Sequence, residues 1–218
     1  HEYFMQTSAT LIGSLGSIVA AWHRIRNGHE PIASNPDSTY AENFLHMLGA
    51  ENITPLMTRI MDATLVLHGE HTINASTFTA MVTSSTLANA SQVMASAIGS
   101  LSGPLHGGAN EKVVSMLEKI DSKEDIRPWL DETLKAKNVV WGMGHREYSV
   151  KDPRANILTD MVQELFKERE GGVTDIFEKA IELEKACEEK LAHKGVYPNV
   201  DFYSGILYKE MDIPTDIF

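Results

Sequence analysis

The chain has 218 residues, 43% of them hydrophobic and 22% charged, with a formal net charge of −11 at pH 7. That is enough apolar material for one large domain or two modest ones. The acidic balance excludes the basic face of a nucleic-acid binder, but not small anionic substrates, which a few local arginines can hold.

Nearly every segment has helical periodicity, and none has the sustained alternation of a half-buried strand, so the expected class is all-α. From Tyr3 to Arg26 apolar residues recur at three- and four-residue steps (Leu11, Leu15, Ile18, Val19, Trp22, Ile25), and Asn27-Gly28 ends the run. The stretch Glu30 to Asp37 is loop chemistry. Thr39 to Leu48 reads as a short helix stopped by Gly49, and Thr54-Pro55 opens the next as N-cap and first helical position. That helix runs through Met57, Ile60, Met61 and Leu65 to about Gly69. Ser76 to Ile98, rich in Ala, Ser and Thr, has the composition of helices packed closely on every side. Gly103 to Gly108 interrupts the pattern and is the expected hinge. Further amphipathic helices follow, the clearest from Ile176 to Leu191 with Ile176, Ala180, Leu183 and Cys187 on one stripe.

No apolar run approaches the ~20 residues of a membrane span, and no basic-then-apolar leader opens the chain. A soluble protein with no membrane partner is expected. Cys187 is the one cysteine, which excludes an intramolecular disulfide and fits a reducing compartment. The start at His1, inside an apparent helix and without a methionine, and the stop at Phe218 read as cuts in a longer protein.

Three of the nine histidines sit in turns: His71, His106 and His145. A histidine leading into a helix faces a cleft more readily than one on an amphipathic stripe. His68, Glu70 and His71 cluster, but the helical zinc motif needs histidines four apart with glutamate directly after the first. Here the spacing is three and glycine follows; no metal site is expected. Gly142 and Gly144 begin a dinucleotide-like fingerprint that Glu147 breaks, and the lysine and Ser/Thr of a phosphate-cradling loop are missing. Cys187 lies among glutamates, a setting that disfavours the thiolate and nucleophilic catalysis.

Four runs then stand in order along the chain: His71 to Asn74; Gly103-Pro104-Leu105-His106-Gly107-Gly108-Ala109-Asn110; Gly142-Met143-Gly144-His145-Arg146-Glu147-Tyr148 with Asp152-Pro153-Arg154-Ala155; and Tyr197-Pro198-Asn199-Val200-Asp201-Phe202-Tyr203-Ser204-Gly205. In sequence, order and separation they resemble the signatures of the citrate synthase family. The resemblance implies condensation of acetyl-CoA with oxaloacetate by His106, His145 and Asp201, with His71 and Arg154 binding substrate carboxylates. It also implies a CoA-binding set of Val140, Gly142, Met143, Gly144, Lys151 and Asn199. Acetyl-CoA is a co-substrate and no permanently bound cofactor is implied. A homodimer is implied for the intact enzyme, and the prokaryotic form of the second signature implies a cytoplasmic location. Ser149 stands where relatives carry a lysine, with Lys151 as its replacement at the CoA phosphate. Two further arginines of the family's pocket fall beyond Phe218, so this polypeptide alone is expected to lack citrate-forming activity.

The chemistry wants these residue types. An acetyl methyl is a very weak carbon acid, so a carboxylate base must act together with a donor to the thioester oxygen. Asp201 suits the base, opening a helix over Phe202–Lys209. The helix N-terminus favours its ionised form, while burial on closure opposes it. Without the resemblance, Asp201 reads equally as that helix's N-cap. His106 stands before a helix beginning near Gly108, where the dipole favours neutral imidazole, the better partner for an enol oxygen. His145 polarises and protonates the oxaloacetate carbonyl, and Arg154 matches a carboxylate in bidentate fashion.

The expected layout is a large-domain section over 1–105, a small domain over 106–206, and a return to the large domain over 207–218. Rival readings are a 2-methylcitrate synthase using propionyl-CoA, a citryl-CoA lyase-like enzyme, and a non-catalytic helical interaction module.

Overall fold

The computed structural model describes residues 2–69, 72–103, 105–145, 147–168 and 172–217. Among these residues the chain is all-α, with ten α-helices, three short 3-10 turns and no strand. It divides into two compact units, one of residues 1–106 with Ile217 and one of residues 107–216.

The first unit holds α1 (Glu2–Arg26), α2 (Tyr40–Leu48), α3 (Pro55–Gly69), α4 (Ala75–Ser85) and α5 (Ala90–Leu101). Local capping explains several boundaries. The Thr39 hydroxyl accepts from the Glu42 amide and Gly49 closes α2 in the left-handed region, while the Thr54 hydroxyl accepts from the Met57 amide before Pro55. Small residues set the α1–α2 approach: Gly16 lies under the Tyr40 ring, and the Tyr40 hydroxyl donates to the Ile12 carbonyl at 3.3 Å.

Two expectations change here. The Ala/Ser/Thr-rich stretch, expected to be packed closely on every side, is not: it is two helices, with Leu87 turning at φ +63° and Asn89 starting α5 with a capping box completed by Gln92. Neither helix contains a buried residue, and Phe78, Met81, Val82, Ile98 and Leu101 are all exposed. Their composition lets α4 and α5 lie against each other, and α1 touches α5, but among the described residues neither helix is packed on every side. Second, α1 is long and apolar enough, by length and composition, to cross a membrane. The expectation that no run reaches that length is corrected. Ser, Thr and Gln dilute the pattern to the eye, but no Asp, Glu, Lys or Arg falls between Glu2 and Arg24. Gly16 and Ala20 are its buried residues, on the side packed against α2.

The second unit is built around α10 (Val200–Glu210), which packs on α6 (Ala109–Glu118) and α8 (Pro153–Glu168); α7 (Ile126–Lys135) and α9 (Asp175–Leu191) pack on each other. Val113, Leu117, Leu130, Leu158, Leu183, Phe202, Tyr203 and Ile206 are fully buried. Full burial of such side chains stabilises by roughly 1.5–3 kcal/mol each. Gly205 is required at the α6–α10 crossing, because a Cβ there would lie 2.6 Å from the Asn110 carbonyl oxygen. A row of surface ion pairs aligns α7 and the turn before it with α9: Lys123–Glu178, Arg127 with Glu182 and Glu189, and Lys190–Asp131. Exposed pairs of this kind set register more than stability.

Candidate active site

In the first unit, Asn74 caps α4 by accepting from the Thr77 amide at 2.9 Å. That cap presents Ser76, in the first turn, to His106. The Ser76 amide donates to His106 Nε2 at 3.3 Å, and the Ser76 hydroxyl lies 3.0 Å from the same nitrogen. A backbone N–H can donate only to a nitrogen with a free lone pair, so this contact goes with a ring proton on Nδ1. The sequence points to neutrality through the helix that follows His106; the bonds come instead from the N-terminus of α4. Only the position of Ser76, two residues past a capping Asn74, signals that contact in the sequence. His71 lies outside the described residues.

In the second unit the two later motifs are joined by main-chain hydrogen bonds. Gly144 N donates to Tyr197 O at 2.7 Å and Asn199 N to Gly142 O at 2.9 Å, around an antiparallel Met143–Pro198 bridge. The Asn199 side-chain amide donates to Gly144 O at 2.8 Å. Gly142 has φ +79°, and a Cβ on it would lie 2.8 Å from both Phe202 and Val113, so the loop can run this close to α10 only with glycine. The predicted residues Gly142, Met143, Gly144 and Asn199 thus form one main-chain unit, with Val140 buried beneath it.

Asp201 stands at the second position of α10, which begins two residues earlier than the sequence suggests. The cap is Asn199, whose Oδ1 accepts from the Asp201 amide at 3.0 Å. The reading of Asp201 as N-cap is therefore overturned; the residue is half-buried.

His145 and Arg154 are brought together. The Glu147 amide donates to His145 Nδ1 at 3.0 Å. Arg154 Nη2 lies 3.5 Å from His145 Nε2. The guanidinium is held in turn by Asp152 through Nε at 3.0 Å and Nη2 at 2.7 Å. Asp152 is almost fully buried and its amide donates to Pro198 O. Burial alone would raise its pKa, but the hydrogen bonds and charge of Arg154 outweigh it and hold the carboxyl below the usual range. Lys151 forms an ion pair with Glu184 at 2.5 Å. Asp152, Glu184 and Tyr203 are site components that sequence reasoning missed; only an Asp two residues before Arg154 at a helix start is a local signal.

Beside the loop, a cavity of about 270 Å³ is lined by Lys112, Lys119, Trp129, Asn138, Val139 and Trp141.

The family model of the citrate synthase C-terminal domain matches residues 1–218. Citrate synthase from Synechocystis sp. is 49% identical over 100% of this chain and 54% of its own length. That from Haloferax volcanii is 41% identical over 100% of this chain and 56% of its own. Among solved structures, citrate synthase from Thermotoga maritima superposes with a TM-score of 0.87 at 36% identity, covering 100% of this chain and 58% of that one. The ternary complex of Thermoplasma acidophilum citrate synthase with carboxymethyl coenzyme A and oxaloacetate gives 0.86 at 29% identity, over 96% and 55%. The chain belongs to the citrate synthase family and spans a little over half the length of these relatives.

Proposed function

We propose that this chain is the catalytic portion of an enzyme that condenses acetyl-CoA with oxaloacetate and water to give citrate and CoA. The observation that carries the reading is the hydrogen-bonded pairing of residues 142–144 with 197–199, which fixes the turn of His145 against the helix of Asp201. Asp201 removes a proton from the acetyl methyl. The thioester oxygen takes the developing charge and accepts a hydrogen bond from His106 Nδ1–H. The methyl carbon attacks the ketone carbon of oxaloacetate, and His145 delivers a proton to the ketone oxygen as the C–C bond forms. Water then cleaves the citryl thioester, releasing CoA.

Arg154, oriented by Asp152, holds a carboxylate of oxaloacetate, with His71 as its companion. The main chain of Val140 to Gly144 with Asn199 receives the CoA nucleotide. The adjoining cavity suits that end of the ligand, since indole faces pack against a base and lysines attract phosphates. The large domain is assigned to residues 1–105 with the segment after 206, the small domain to the stretch between, and the hinge to Gly103–Gly108. The exposed apolar faces of α4 and α5 support a homodimer in the intact enzyme. Release of free thiol from acetyl-CoA, dependent on oxaloacetate, tests the reading in the full-length enzyme. A kcat/KM higher with propionyl-CoA than with acetyl-CoA would instead place it with the 2-methylcitrate synthases.

A further inference from the structure

Glu184 lies on α9, outside all four sequence signatures, yet it touches both halves of the second unit's site. One carboxylate oxygen pairs with Lys151 Nζ at 2.5 Å, and the other accepts a hydrogen bond from the Tyr203 hydroxyl. The Lys151 ammonium also lies 5.6 Å from the Tyr203 ring centroid, closing a triangle. The node is well shielded: Tyr203 is fully buried, and the Glu184 and Lys151 side chains are 16% and 28% exposed. Burial, with the Glu184 charge beside it, pushes the Tyr203 hydroxyl far above its ordinary pKa, so the phenol stays a donor at all working pH values.

The three residues matter by position. Lys151 directly precedes Asp152, the residue that orients Arg154, and Tyr203 is two residues beyond Asp201. On a helix a two-residue step is a rotation of about 200°. Tyr203 therefore points into the core while Asp201 points away from it, and fixing the phenol fixes the rotation of α10 about its axis. That rotation sets the direction of the Asp201 carboxylate.

We propose that Glu184 is a positioning residue: through Tyr203 it sets the aim of the Asp201 base, and through Lys151 it locks that base in register with the Asp152–Arg154 segment. The inference rests on the reading of Asp201 as carbon base. A misplacement of roughly 1 Å at a reacting group costs on the order of a hundredfold in rate, so a side chain that never meets substrate can govern turnover.

The test uses the full-length enzyme with Glu184→Gln and, as a variant that keeps ring packing, Tyr203→Phe. The expected result is a fall in kcat of about tenfold or more in both, with KM for acetyl-CoA and oxaloacetate within about twofold of wild type. The same substitutions made in an Asp201→Asn background should cost nothing further, because a positioning effect disappears with the group it positions. A merely structural role would give equal losses in both backgrounds, and that outcome overturns the proposal. So does a kcat loss smaller than about tenfold in Tyr203→Phe. Failure of the underlying reading shows separately, as Asp201→Asn alone keeping more than about a tenth of wild-type kcat.

Discussion

Asn199 donates its side-chain amide to the carbonyl of Gly144 at 2.8 Å while its carbonyl oxygen caps the helix that carries Asp201. One residue therefore holds the base's helix and the turn leading to His145. Asn199→Ala removes an N-cap, worth about 0.5–2 kcal/mol, and leaves the Gly144 carbonyl short of a partner. The variant is expected to unfold at lower denaturant concentration by an amount in that range or somewhat above it, and to lose kcat as well. Chemical denaturation read by circular dichroism checks the first part; an unshifted midpoint would remove Asn199 from this role.

The Asp152–Arg154 pair gives a pH signature. The folded-state pKa of Asp152 is depressed, so its contribution to stability is present above the ordinary carboxyl range of about 3.9. It is lost as pH falls through the folded-state value. Asp152→Asn should therefore be less stable than wild type at pH 7, with the difference narrowing in strong acid. Denaturant titrations from neutral to acidic pH check the sign, and a difference that widens in acid would refute it.

Cys187 is fully buried on α9, and its thiol is pushed up to about 12, chiefly by burial and then by the charge of Glu184. Against an ordinary thiol near 8.5, the native protein should show no reaction with a disulfide reagent at pH 8 and one equivalent after unfolding. The raised value also means that stability is fully present below about 8.5 and declines as pH rises towards the folded-state value. Rapid labelling of the native chain would contradict both statements.

His106 should exist as the Nδ1–H tautomer because Ser76 donates to its Nε2. Long-range 15N–1H spectra of the histidine-labelled enzyme distinguish the two tautomers directly. An Nε2–H signal for His106 would overturn the assignment of Nδ1–H as donor to the thioester oxygen.

Much of the fold was legible where local chemistry decides it. Thr39 and Gly49 bracket α2, Thr54-Pro55 opens α3, and the Ile176–Ala180–Leu183–Cys187 stripe of α9 is buried as its spacing indicates. The position of the break between α4 and α5 was not legible, because Leu87 carries no turn signature and its left-handed conformation depends on its surroundings. The start of α10 was misplaced because Asn199 and Asp201 are both good capping residues and only geometry separates them. Within the site, the motif residues were readable as runs, but their partners were not. Ser76 meets His106 and Glu184 meets Lys151 across long stretches of sequence; beyond the capping Asn74 two residues before Ser76, no local pattern records these contacts.

The most direct test of the account is the turnover of Asp201→Asn in the full-length enzyme, measured together with its affinity for oxaloacetate. With Asp201 as the carbon base, kcat falls by about 10²–10⁴-fold, the usual contribution of general base catalysis, while calorimetric titration shows oxaloacetate binding nearly unchanged. A variant that keeps more than about a tenth of wild-type kcat would contradict the assignment and, with it, the proposed chemistry of the site.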